Sequence, residues 1–400
     1  MRFIVLFSTI ALPVFFSCKN SDKLPIVQAS IQQVKEKYAP DTRVAFFNLA
    51  AEQQGSNIAI KGMTIASAAK QELFQSLKNQ GVEALDSVEV LPSPSLNGQR
   101  FGVVNVSVCN IRSNPKHAAE LATQALLGTP LRVWKQEGSF FLIQTPDDYF
   151  GWLDSGGFQC MDSTQFFHYL QSERAVCTTD YVFAFEKPME NAPVVSDLLA
   201  GNILQTLGQE GGFTKIGFPD GRIGFVKSSQ LMPLGEWLAS RQPDAGHILS
   251  SAREMMGRPY LWGGTSGKGM DCSGFTKTVF FLNGLQLPRD ASQQVQVGDA
   301  VESDTTLKNL LPGDLLFFGK KAEGNKKERI THVAIYMGNG KIIHAANKVE
   351  TGSLHRGDPD FLEGRLHTFV RAKRMLGANM ESGVVPLRSL PYYGQGRFPD

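Results

Sequence analysis

The residues most able to do chemistry lie in one stretch, PYLWGGTSGKGMDCSGF, residues 259–275. A thiolate, not a thiol, attacks a carbonyl. Cys272 stands at the start of a helix expected over residues 272–283. There the unpaired N–H groups and the positive dipole end are expected to lower its pKa from about 8.5 into a range of roughly 3.5–7.5. Asp271 occupies the N-cap position, and the small Ser273 and Gly274 let a substrate backbone approach the sulfur. A lone cysteine is more often a core residue than a nucleophile, so its partners decide the reading.

Those partners are histidines. ITHVAIYM (330–337) is an apolar strand interrupted by His332, and KIIHAA (341–346) returns with His344. Catalysis needs both side chains on one face. With the turn centred on Asn339, His332 faces Ala346 across the hairpin and His344 lies diagonally beside it. A plain two-residue Asn-Gly turn would put the two histidines on opposite faces, so the hairpin requires an odd loop or a bulge. A zinc site at Cys272, His332 and His344 has no second Cys pair or Cys-x-x-Cys to support it.

These residues must be positioned by an α+β domain. AGHILSSAREMMG has helical spacing at Ile248, Ala252, Met255 and Met256 and stops at Gly257; Arg258-Pro259 then turns the chain. The strand LLFF follows the turn Pro312-Gly313-Asp314, and a hairpin runs from Ile330 to Ala346. The motifs PYLWGG, DCSGF, LPRDASQQ, LPGDLLFF and THVAIYMGNGKIIHAA, in this order, resemble the NlpC-type cell-wall cysteine peptidases, a papain-like fold, over residues 245–376. The resemblance implies that Cys272 attacks an amide carbonyl, His332 is its base and His344 orients His332. It also implies that Tyr260 serves the oxyanion and that Trp262, Asp271, Ser273 and Ser292 line the substrate groove. No cofactor or metal is implied.

Upstream, strands over 44–49, 57–61 and 87–91 and a helix over 65–79 suggest a small α/β unit, 18–97, closed by Pro92-Ser93-Pro94. Two blocks of short strands broken by Gly, Pro and Asp follow at 98–160 and 172–236 and resemble bacterial SH3-like barrels. This domain order resembles the recycling subgroup that removes L-Ala-γ-D-Glu from wall peptides. In that subgroup the first barrel caps the groove, and Glu120 and Tyr149 match residues that hold the free N-terminal amine. The whole reads as multidomain α+β, with residues 377–400 as a loose Gly/Pro-rich tail.

Composition agrees with a globular chain, with 42% hydrophobic and 20% charged residues and a formal charge of +2, which gives no reason to expect nucleic acid. Met1-Arg2 and the apolar run Phe3 to Phe16 suit a signal peptide over 1–17. Ser17-Cys18 then resembles a lipoprotein cleavage box, with Cys18 lipidated and the protein an exported monomer of the cell envelope. Of five cysteines, Cys109, Cys160 and Cys177 remain, enough for one disulfide at most and expected mainly as small core residues. The activity expected is hydrolysis of the γ-D-glutamyl to diamino acid amide in murein peptides; the alternative is a peptidoglycan-binding module with a silent peptidase domain.

Overall fold

Strand and helix periodicities fold here into separately cored layers. The computed structural model describes residues 23–378 and 380–393, which divide at Leu91/Pro92 into two units. The expected signal peptide and Cys18 lie outside the described residues.

The first unit holds helix Leu24–Tyr38, strands Phe47–Gln54 and Asn57–Thr64, helix Ser67–Asn79 and strand Ala84–Val90. The first two strands pair antiparallel, and the second helix crosses over so that the third strand runs parallel to the second. Ile58 and Ile60 meet Leu73 and Leu77 in its core. The helix Leu24–Tyr38 escapes the sequence reading, because its narrow stripe of Val27, Ile31 and Val34 is set among Gln, Lys and Glu. The boundary also moves. Residues 92–97 belong to the next domain, since the Ser93 N–H donates to the Trp134 carbonyl and Leu96 is buried in that core.

The second unit opens with two barrels, each a seven-stranded sheet. The first runs from Phe101 to Met161 and the second from Arg174 to Pro233. With strands numbered within each barrel, both have the spatial order 7-1-4-5-6-2-3, so the similar texture of the two blocks reflects one topology used twice. Helix Ser163–Gln171, between them, carries a capping box made by Asp162 and Gln165 and was not foreseen.

The last domain is built on a six-stranded antiparallel sheet. Its spatial order is Asp299–Val301, Phe369–Arg374, Leu315–Lys320, Arg329–Gly338, Lys341–Ala345, Val349–Ser353. Helix Cys272–Leu282 covers one face through Phe275, Val279 and Phe280, which meet Phe317, Val333, Ile335 and Ile343. Removing a side chain such as Phe275, fully buried, costs about 3–5 kcal/mol. The opposite face packs Leu316, Phe318, Ala334, Tyr336 and Ile342 against Leu366 and Phe369.

The expected loose tail is corrected in part. Val385–Pro386 pairs with Leu285–Gln286, and Leu387 and Tyr393 are buried with Val176, Ile203 and Trp237, so apolar side chains anchor 385–393 although Pro386 and Pro391 interrupt it. The four described cysteines are free, with Cys109 and Cys177 buried.

Candidate active site

Cys272 is the first residue of its helix, and the Asp271 carboxylate caps that helix by accepting from the Gly274 N–H at 2.7 Å. Gly274 is required there, because a Cβ would lie 1.9 Å from the Gly264 carbonyl oxygen. The helix start thus seats directly on the loop that precedes it. The Val333 and Ser273 N–H groups lie close enough to the Cys272 sulfur to favour its charged form. Val333 can donate because the hairpin ladder is registered only from Ile335↔Ile343 to Gly338↔Lys341, leaving the two strands unpaired beyond it.

The hairpin resolves its parity by a bulge. Asn339 and Gly340, both at positive φ, form a two-residue turn, and a register shift between Tyr336 and Gly338 inserts one residue. His332 and His344 consequently share a face, and His332 Nε2 lies 2.8 Å from His344 Nδ1. His332 Nδ1 has no hydrogen-bond partner among the described residues. Both rings are buried, with ring planes at 85°.

The electrostatics depart from the expectation of a depressed thiol. Burial, then the adjacent Asp271 carboxylate, push the Cys272 pKa up to about 11, against the opposing pull of the Val333 N–H, Arg289 and the Ser273 N–H. The helix N-terminus is outweighed by desolvation and a nearby anion. Burial, the Arg365 guanidinium and His344 hold His332 well below 6.5. Burial, followed by Arg365, pushes His344 down to about 4. At neutral pH the resting pair is therefore thiol and neutral imidazole.

Asp271 is placed differently from a groove-lining group. Its oxygens accept from Arg289 Nη1 at 3.1 Å and Nη2 at 2.6 Å, from the Gly263 N–H at 3.0 Å and from Ser273 Oγ at 3.2 Å. With its oxygens so engaged, it fixes the nucleophile loop and leaves little capacity for substrate. Arg289, from LPRDASQQ, is 1% exposed and also donates to Ser273 Oγ and to Thr123 Oγ1 of the first barrel. The sequence reading missed it; a lone arginine in a Pro-Arg-Asp turn reads as solvated.

Tyr260 is half-buried, and its phenol is held up to about 12 by burial, then by Cys272 and Asp271. It stays protonated and can donate a hydrogen bond. The Cys272 N–H is a second group free to donate, since the first N–H of a helix has no intrahelical partner. Ser292 is the second residue of the short helix Ala291–Gln294.

The first barrel forms one wall. Gln124 Oε1 accepts from the Thr265 N–H and Ser266 Oγ, Asp147 pairs with the buried Lys277, and Gly263 approaches so closely that a Cβ would sit 2.2 Å from the Leu121 carbonyl oxygen. Trp262 Nε1 donates to Glu120 Oε1 at 2.7 Å, bridging barrel and loop with an indole that is 63% exposed. Tyr149 is buried and its hydroxyl is 3.1 Å from Asp290 Oδ2, so it meets Asp290 and is not an open donor. Gln124 and Arg365 carried no sequence motif, and Arg289 was given no role within LPRDASQQ; only proximity reveals them. Among the described residues, no group of three or more His, Cys, Asp or Glu side chains could hold a metal ion.

Comparison with known proteins agrees with this architecture. The model of the NlpC/P60 family matches residues 257–360, and that of the bacterial dipeptidyl-peptidase SH3 domain matches residues 111–157. A γ-D-glutamyl-L-lysine dipeptidyl-peptidase of Bacillus subtilis (strain 168) is 30% identical over 233 residues, 56% of this chain and 72% of the relative. Dipeptidyl-peptidase 6 of Lysinibacillus sphaericus is 25% identical over 266 residues, 64% of this chain and 93% of the relative. A crystal structure of an NlpC/P60 family protein from Bacillus cereus ATCC 10987 superposes with a TM-score of 0.58 at 22% identity, covering 69% of this chain and 99% of that one, which shows a shared fold.

Proposed function

The chain belongs to the NlpC/P60 family, and on that premise we propose that it hydrolyses the γ-D-glutamyl to diamino acid amide of murein peptides that carry a free N-terminal L-Ala. The observation that carries this reading is the bridge from Glu120 to Trp262. It sets an exposed carboxylate of the barrel at the rim of the loop bearing Tyr260 and Cys272, where an ammonium end of a short peptide would sit. Glu120 Oε2 has no partner among the described residues and is open to that cation. A peptide still joined to glycan has no ammonium there and would meet the barrel wall.

In the proposed reaction His332 Nδ1 takes the Cys272 proton as the sulfur attacks the γ-carbonyl of D-Glu. Nε2 then carries the other proton and donates to His344 Nδ1, which spreads the imidazolium charge. The Cys272 N–H and the Tyr260 hydroxyl receive the oxyanion. Collapse breaks the carbon–nitrogen bond, His332 returns its proton to the leaving amine, and water hydrolyses the thioester by the reverse relay. The intact Cys272, His332 and His344 set supports this over a silent wall-binding module. Export and a lipid on Cys18 would place the enzyme at the cell envelope.

The test is mass spectrometry of products from L-Ala-γ-D-Glu-diamino acid and its N-acetylated form. Release of L-Ala-D-Glu from the free peptide alone is expected. Equal cleavage of both would make the protein a general wall endopeptidase.

A further inference from the structure

Arg365 is a cation beside the reacting groups that the structure leaves without an anion. It lies in the short helix Glu363–His367, whose Leu366 is buried against Phe318 and Phe369, so its place is fixed by core packing. Its guanidinium carbon is 6.0 Å from the centre of the Phe318 ring, which in turn is 5.9 Å from the His332 ring. The side chain is half-buried, and among the described residues the guanidinium makes no hydrogen bond and no ion pair. Its charge is felt at Tyr260, Cys272, His332 and His344. A partly desolvated guanidinium is costly unless an anion meets it, and its planar fork matches a carboxylate.

We propose that Arg365 receives a carboxylate on the leaving side of the scissile amide, the α-carboxylate of the released diamino acid. This rests on the γ-glutamyl reading above. Barrel contacts through Glu120 and Trp262 assign the amine end to one side of Cys272, whereas Arg365 flanks the histidines. His332 must return its proton to the leaving nitrogen. The carbon bonded to that nitrogen carries the carboxylate, so a carboxylate receptor beside His332 meets the leaving residue. Arg365 opposes a positive charge on His332, and a bound carboxylate cancels that opposition. Recognition therefore raises kcat as well as lowering KM.

The experiment uses the full chain, wild type, Arg365→Gln and Arg365→Lys. The peptides are L-Ala-γ-D-Glu-diamino acid as free acid, its C-terminal carboxamide, and the peptide amidated instead at the D-Glu α-carboxyl. Wild type should prefer the free acid to the carboxamide by tenfold or more in kcat/KM, roughly the scale of one lost charge pair. Arg365→Gln should cut both within about threefold of each other, and the carboxamide no more slowly than wild type does because the opposing charge beside His332 is gone, while Arg365→Lys keeps part of the preference. Equal cleavage of acid and carboxamide by wild type overturns the proposal, as does a full preference in Arg365→Gln. A penalty that instead follows D-Glu amidation and disappears in Arg365→Gln also overturns it, by moving the contact to the acyl side. Cleavage of none of the three by wild type means that the γ-glutamyl reading fails, and this inference with it.

Discussion

His332 Nε2 and His344 Nδ1 are 2.8 Å apart, so His344 engages one ring nitrogen of His332 and leaves Nδ1 without a hydrogen-bond partner among the described residues. In the proposed relay His344 accepts a hydrogen bond and holds one tautomer. His344→Asn, which offers an acceptor of similar reach, should retain more kcat than His344→Leu, and His332→Ala should lose the most, with a direct proton-transfer role contributing about 10²–10⁴-fold. Steady-state kinetics with the free tripeptide checks the ranking. A larger loss at His344 than at His332 would reverse the two roles.

With the thiol raised to about 11 and His332 held well below 6.5, the resting enzyme should contain no thiolate at neutral pH. The base is lost only when His332 protonates. The acid limb of kcat/KM should therefore fall below pH 6.5, and the rate should stay flat through the neutral range. Ultraviolet thiolate absorbance of wild type minus Cys272→Ala should appear only in strongly alkaline buffer. A thiolate signal at neutral pH would show a preformed ion pair.

Both buried histidines are neutral in the fold, which fixes a direction for acid stability. The unfolded chain binds protons near pH 6.5 and the native state does not, so stability is full above that pH and declines as pH falls toward the folded value. For His344, lowered to about 4, the loss by pH 4.5 is about 2–3 kcal/mol. Urea unfolding of wild type and His344→Asn at neutral pH and at the lower pH measures it; the variant should lose less by about that amount.

Arg289 and Asp271 are a buried pair at 2.6 Å that also reaches the first barrel through Thr123. Arg289→Met leaves the Asp271 carboxylate buried without its cation and should destabilise the second unit by about 3–5 kcal/mol. Denaturant unfolding followed by tryptophan fluorescence checks this. Stability unchanged within about 0.5 kcal/mol would show that the pair contributes nothing net.

Glu120→Gln keeps the acceptor for Trp262 Nε1 but removes the charge. KM for the free tripeptide should rise, at most by the 2–5 kcal/mol typical of a desolvated pair and by less here because Glu120 is exposed. The N-acetylated peptide should be indifferent to the substitution. A similar change for both peptides would make Glu120 an ordinary surface residue.

The local chemistry was legible in the sequence. Asp271-Cys272 at a helix start, two histidines whose parity demands a bulge, and two β-rich blocks all follow from short-range rules of capping, alternation and turn chemistry. The bulge at Met337 answers the parity requirement without being visible in the residues MGNG themselves. Other features depended on residues far apart in the chain. The thiol is raised because the fold buries Cys272 beside Asp271, against an expectation drawn from the helix end alone. Arg289 is a core residue only because Asp271 and Thr123 converge on it, and Arg365 gains meaning only from its place over Phe318. The tail packs because Val176, Ile203 and Trp237 leave an apolar cleft for Leu387 and Tyr393. Local pattern determines which groups can react. Their protonation, partners and specificity depend on desolvation and through-space charge, which exist only once distant segments have packed.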